Sequence, residues 1–275
     1  MRSFTPSLGA KNMAELAIVG SQDVDAREWL DNAREVQLPT RDSSVKATVG
    51  TLNGYELIVM PRNSSGRPVP PHAIDYRANM DALSRAGVRM VLTTAMVGTL
   101  RHSVPNGSML VLDQFIDFTK DRQFTFFEDD RFGFADMTEP YCPNLRAHMI
   151  RAGESLGFHM APRGCCVCVP GPRFETRAEV RMFAQLGGDV IGHTNGTDCI
   201  MAREAGMCFA TFAGVITLGA GLSDHDMNAH DWHEPRRRHA ARFRQIVGEM
   251  TRSLRDSSSD AHVDCRCAMA APIEK

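Results

Sequence analysis

Phe174 and Glu175 adjoin in the run Gly171-Pro172-Arg173-Phe174-Glu175-Thr176-Arg177-Ala178-Glu179, and Asp189-Val190-Ile191-Gly192-His193-Thr194-Asn195 follows shortly after. An aromatic face beside a carboxylate suits a flat heterocycle. The ring stacks, and the carboxylate accepts hydrogen bonds from ring N–H groups such as those of a 6-oxopurine. Thr194 adds a hydroxyl that can face an anion or a sugar. A helix between the two segments brings two strand ends together, which is where open α/β sheets place ligands. The combined chemistry is that of a nucleoside site.

These residues, in order with others, resemble the trimeric purine nucleoside phosphorylases, especially their methylthioadenosine and methylthioinosine phosphorylase branch. Val19-Gly20-Ser21 is similar to that family's first glycine-rich turn. Met60-Pro61-Arg62, with Pro71-His72-Ala73-Ile74-Asp75-Tyr76-Arg77-Ala78-Asn79, is similar to its second signature. Asp113-Gln114-Phe115-Ile116-Asp117, Pro140-Tyr141-Cys142-Pro143 and Ala202-Arg203-Glu204-Ala205-Gly206 continue the likeness, which runs from Met13 to Leu254. Likeness over that length, in the family's order, is more than one short motif met by chance. It implies an α/β, single-domain nucleoside phosphorylase-like fold, with a central mixed twisted β-sheet flanked by helices. It also implies phosphorolysis, in which phosphate attacks C1' of the sugar while the bond to purine N9 breaks. Inorganic phosphate is then the co-substrate, with no cofactor and no metal.

Charge must be managed at both ends of that reaction. The phosphate end needs a cationic fork, hydroxyls and backbone N–H groups. By resemblance these are Ser21, Arg62, Asn63, Thr194 and the Met96 backbone. The purine end needs a group that stabilises negative charge building on the departing base. Val215-Ile216-Thr217-Leu218-Gly219-Ala220-Gly221 resembles the run that carries it, and Thr217 stands where 6-oxopurine members have Asn and 6-aminopurine members have Asp. The implied catalytic set is Thr217, Glu175 and Arg62. The implied nucleoside pocket is Phe174, Glu175, His193, Thr217, Gly219, Phe134 and His230. Phe134 belongs to a segment that reaches a neighbouring subunit in the family, which implies a homotrimer or a dimer of trimers. A carboxylate at 175 accepts from N1–H and repels the N1 lone pair of adenine, so a 6-oxopurine is expected. The competing reading is that Glu175 only favours the positive end of the following helix.

Several positions depart from the family pattern. Asn63 and Ala95 replace a His and a hydrogen-bonding side chain, His193 replaces Met, and Pro170 replaces an acidic residue or Gln. Losing a charge-assisted hydrogen bond costs about 1.5 to 3 kcal/mol, roughly ten- to a hundredfold in phosphate affinity. Thr217 offers one hydroxyl where an amide bridges two ring atoms. His193 either hydrogen-bonds a ribose hydroxyl or fills the Met volume with its ring satisfied elsewhere. Two other readings stay open: a hydrolase or transferase using another anion, and a non-catalytic nucleoside-binding subunit. In the stretch from Ser223 to His233, His230 or His233 suits a 5'-hydroxyl and Met227 or Trp232 suits a methylthio group; a solvated loop and a metal site are the alternatives.

The elements that position these residues are read from periodicity. Strands are expected at Glu15 to Val19, Lys46 to Leu52, Tyr55 to Met60, Val88 to Thr94, Ser108 to Leu112, Cys165 to Val169, Asp189 to Gly192 and Met207 to Ile216. Ile74, Ala78, Ala82 and Ala86 mark a helix that Gly87 stops. Thr176 caps a helix to Leu186, with Glu179 as its capping-box partner, and Pro235 opens a last helix to Leu254. One domain at 13–254 lies between expected flexible tails at 1–12 and 255–275.

A chain of 275 residues, 43% of them hydrophobic, can bury a full core. Its net charge of -2, with scattered Arg and Lys, gives no footprint for nucleic acid. No apolar run approaches the ~20 residues that cross a bilayer, so no membrane partner is expected. Met1 to Lys11 lacks the apolar centre of a signal peptide, and the cytoplasm is the expected location. In a reducing compartment the eight cysteines are mostly buried thiols. Cys265-Arg266-Cys267, in a polar tail, reads either as a pair exposed enough to oxidise or hold a soft metal, or as two thiols in a frayed end.

Overall fold

The computed structural model describes residues 13–20, 24–63, 69–128, 133–223, 232–256 and 267. Among these, ten strands form one sheet: β1 (Leu16–Gly20), β2 (Asp31–Pro39), β3 (Ser44–Leu52), β4 (Tyr55–Pro61), β5 (Met90–Thr99), β6 (Met109–Val111), β7 (Gln114–Asp117), β8 (Cys165–Cys168), β9 (Val190–Gly192) and β10 (Cys208–Leu218). The helices are α1 (Ala26–Trp29), α2 (Tyr76–Arg85), α3 (Pro143–Ser155), α4 (Arg177–Gln185), α5 (Asn195–Glu204) and α6 (His233–Asp256). Strand order along the main path is β2-β3-β4-β1-β5-β9-β8-β7, with β10 on β5 and β6 on β10. The sheet is mixed. β1 runs parallel to β4 and β5, and β10 to β5, whereas β5 and β9 are antiparallel.

Apolar residues alternate between the two sheet faces because side chains of a strand point to opposite sides. Ala17, Val19, Ile58 and Met60 pack with α2 and α5, while Leu16, Ile18, Leu57 and Val59 pack with α3 and α6. Both faces are therefore covered, the condition that parallel strands require. A smaller cluster joins Val180 and Phe183 of α4 to Val167 and Ile191.

β5 is the strand that opens the site. Its pairing with β1 covers Met90 to Thr93, and its pairing with β9 starts only at Gly98. Between them Thr94 to Val97 face the point where β1 and β9 diverge, the kind of switch in strand order at which open sheets bind ligands. On the other edge β10 follows β5 to Thr99, with a register shift between Val215 and Thr217. A bulge of this kind re-aims the side chain that follows it, here Thr217.

Local signals place the helices. Thr176 and Glu179 form the expected reciprocal capping box of α4. Gly87 follows α2 at φ 85, a left-handed conformation that glycine adopts without strain. Three expectations are corrected. α2 starts at Tyr76, not Ile74, because Asp75 caps it by accepting from the Ala78 N–H at 2.8 Å. β5 and β10 extend past Thr94 and Ile216, since each supplies the other's backbone partners. Cys267 is not exposed: it is 4% accessible within the apolar cluster around α3 and α6.

Candidate active site

Arg62 follows β4 directly and is 4% exposed, and four chain segments meet on it. Its N–H donates to the Gly20 carbonyl at 2.8 Å, which joins it to the end of β1. Its Nη2 donates to the Thr94 carbonyl of β5 at 3.1 Å. Its Nε donates to Asp198 in the first turn of α5 at 2.7 Å, and its own carbonyl accepts from Asn79 of α2 at 2.6 Å. Asp198 N–H in turn donates to the carbonyl of Thr194, the residue that caps α5 without spending its hydroxyl on the cap. Arg62, Thr194 and Thr94 thus share one corner, beside the N-terminus of α5, and Met96 is half-buried two residues beyond Thr94 on β5. Asn63 follows Arg62 and is half-buried. A cationic fork plus a helix N-terminus is an anion-binding arrangement.

Burial pushes the Asp198 carboxyl up, while Arg62 pulls it down. The pair is fully desolvated, so its value lies in holding the guanidinium in place more than in stability. Asp198 Oδ1 and Thr94 Oγ1 are both buried without a hydrogen-bond partner.

Other candidate residues lie at the ends of β9 and β10. His193 Nδ1 donates to the Val169 carbonyl at 3.2 Å, and its ring lies against Gly171, where a Cβ would come within 3.2 Å. Burial lowers the His193 pKa, so the ring is neutral. A neutral ring donating from Nδ1 keeps Nε2 as an acceptor. Thr217 is half-buried, pairs with Gly98, and its hydroxyl donates to the neighbouring Leu218 carbonyl at 3.2 Å. Gly219 admits no side chain, since a Cβ there would sit 2.6 Å from the Thr99 carbonyl.

Phe174 is 41% exposed and stands edge-on to Trp232, ring centroids 5.0 Å apart at 83°. Glu175 is half-buried, and burial raises its carboxyl, with Glu179 adding to the rise. The helix-capping work falls to Thr176 and Glu179, the latter held down to about 2 by Arg173 and the Thr176 amide. Glu175 is therefore not the α4 cap. It lines a cavity of about 300 Å³ with Phe118, Lys120, Pro170 and Arg173, a lining to which Phe174, Thr217 and Arg62 do not belong. Phe134 is 69% exposed on this chain. Ser21 and His230 lie outside the described residues.

Sequence reading missed Asp198, Thr94 and Arg122. Arg122 is buried and donates to the His193 carbonyl at 2.6 Å, Thr197 Oγ1 at 3.1 Å and the Pro170 carbonyl at 3.0 Å, lying over the Tyr76 ring. It ties the loops after β8 and β9. A short hydrogen bond from Tyr141 to Asn195, and one from Asn195 to Thr211 at 2.5 Å, fix the start of α5.

The sequence pattern of the phosphorylase superfamily matches residues 15–252. The chain belongs to that superfamily. Among this member's relatives, a probable 6-oxopurine nucleoside phosphorylase of Thermococcus kodakarensis is 41% identical over 222 residues, covering 78% of this chain and 83% of the relative. The S-methyl-5'-thioadenosine phosphorylase of Hyperthermus butylicus is 38% identical over 216 residues, covering 78% of each. The crystal structure of a methylthioadenosine phosphorylase from an Antarctic soil metagenomic library superposes with TM-score 0.85 at 29% identity, covering 96% of this chain and 94% of that one. The mixed, helix-flanked sheet of this superfamily member is the architecture expected from its sequence. Among the described residues no helix is long and apolar enough to cross a membrane.

Proposed function

We propose that this phosphorylase superfamily member cleaves a purine nucleoside with inorganic phosphate, releasing the free base and a pentose 1-phosphate. The observation that carries the reading is the convergence of Thr94 and the first turn of α5 on the Arg62 guanidinium, with the Arg62 main chain tied to Gly20. Arg62, Thr194, Ser21, Asn63 and the Met96 amide hold the phosphate. Phe174, with Trp232 as a side wall, takes the purine face. His193 Nε2 accepts from a ribose hydroxyl, and Gly219 leaves room at the end of β10. Thr217 donates its hydroxyl to the base as negative charge builds on it; donors placed where charge develops are the strongest single aid to such a step.

Glu175 selects a 6-oxopurine by accepting from its N1–H, and its position before α4 lets the Phe174 loop bring it to the base. Phe134 and His230 complete the pocket, Phe134 from a neighbouring subunit of a homotrimer or dimer of trimers. The protein works in the cytoplasm without a cofactor. The test is base release from inosine, guanosine, methylthioinosine and methylthioadenosine, with and without phosphate. Release that needs phosphate, fastest with a 6-oxopurine, is expected. Release indifferent to phosphate, or none from any of them, contradicts the proposal.

A further inference from the structure

Three cysteines distant in sequence meet at the start of α3, outside the site described above. Cys142 is the N-cap residue of α3, Cys208 opens β10, and Cys267 is buried among the same apolar side chains, including Leu145 and Phe212. Their sulfurs all lie within 4.8 Å of one another, and none of the three is in a disulfide. Backbone bonds hold two of them: Cys142 N–H donates to the Phe209 carbonyl at 2.7 Å, and Cys208 N–H to the Arg89 carbonyl at 2.8 Å.

The surroundings suit negative sulfur. Cys142 stands at the N-terminus of α3, a helix of 13 residues. A helix N-terminus favours thiolate. Arg203 is 5% exposed, lies near enough to act on Cys267 by its charge, and among the described residues its Nε and Nη1 have no hydrogen-bond partner. A buried cation left short of partners is the counter-charge an anionic cluster needs.

We propose that Cys142, Cys208 and Cys267 form a three-thiolate site for a soft closed-shell cation of the copper(I) type. A metal–thiolate bond of about 2.3 Å in a trigonal site sets the sulfurs roughly 4 Å apart, inside the observed separation. Thiolates select soft cations. Structural zinc takes four ligands, and among the described residues this cluster supplies three. Binding releases the protons still on the thiols. Arg203 then offsets part of the net negative charge of three thiolates around a monovalent ion. The ion clamps residue 267, beyond α6, to the starts of α3 and β10, so its contribution is to stability and not to turnover.

Copper(I) given anaerobically to the reduced full-length protein, against a competing chelator, tests this. One copper per chain is expected from the single cluster, with a thiolate-to-copper charge-transfer band and three sulfur neighbours by X-ray absorption. Cys267→Ser should weaken binding by roughly a hundredfold or more, by analogy with the losses that perturbed ligand shells cause. Cys165→Ser, a half-buried thiol outside the cluster, should bind like the parent. Cys142 is also the N-cap residue of α3, so Cys267→Ser carries the comparison, with circular dichroism to show it folded. The sulfur count on the unsubstituted protein needs no variant. Undiminished binding by Cys267→Ser, fewer than three sulfurs around copper, or no binding against the competitor overturns the proposal.

Discussion

At the scale of single residues, the account rests on what each side chain is free to do. Among the described residues the Thr217 hydroxyl donates to a neighbouring carbonyl alone, and a register shift in β10 precedes it. An amide there would bridge two ring atoms of the base, so Thr217→Asn is expected to raise kcat about ten- to a hundredfold on a 6-oxopurine nucleoside, with the KM for phosphate unchanged. Steady-state kinetics checks this, and a fall in kcat counts against the assigned role. Glu175 carries the base preference. Burial raises its carboxyl, so it takes up a proton at higher pH than an ordinary carboxylate near 4.3. The protonated form no longer accepts from N1–H, and the KM for inosine should climb as pH falls through that raised value. The same shift makes ionised Glu175 a stability cost at neutral pH, relieved on acidification. Glu175→Gln should flatten the pH dependence of KM and lower kcat/KM for inosine by roughly ten- to a hundredfold. An unchanged pH profile in that variant would remove Glu175 from the base site.

Among the elements, the packing of α6 on β10 is tight enough to test by one methyl group. Gly214 faces His239, where an added Cβ would lie 2.5 Å from the ring. His239 is fully buried and Nε2 donates to the Val215 carbonyl at 3.1 Å, so the ring has nowhere to retreat. Gly214→Ala should lose about 1 to 3 kcal/mol, read from the urea midpoint. What could be read from the sequence follows the range of the interactions involved. The α4 capping box and the Gly87 stop need only neighbours a few residues away, and both were legible. β2 was not, because Asp31 to Pro39 is almost wholly exposed at the sheet edge and shows no apolar face. α5 was hidden too: Asn195-Gly196-Thr197-Asp198 reads as turn chemistry, yet all four residues are buried. At the candidate site, Arg62, Thr194 and Phe174 are proposed from local motifs. Asp198 could not be, since its bond to Arg62 spans 136 residues. Cys267 was misjudged for the same reason, as polar sequence neighbours say nothing of a contact with Cys142.

For the whole molecule, the proposed trimer makes each pocket a shared one. Phe134 is the most exposed of the large apolar side chains among the described residues, which fits a surface that a second subunit covers. If one subunit supplies Arg62 and its neighbour Phe134, each single variant, Phe134→Ala or Arg62→Ala, weakens every site in a pure oligomer. Mixed oligomers refolded from the two should regain activity, because some sites then hold both native side chains. No recovery on mixing would mean that each chain completes its own pocket. Arg62→Ala also leaves Asp198 buried without its partner, so that variant needs a check of its own fold, where about 3 to 5 kcal/mol is at risk.

The most direct measurement is a crystal structure of the protein soaked with phosphate and hypoxanthine. The anion is expected against the Arg62 guanidinium and the Thr194 hydroxyl, with the purine on Phe174 and within reach of Thr217. An anion bound elsewhere, with Arg62 still closed onto Asp198 and Thr94 and the purine away from Phe174, would contradict it.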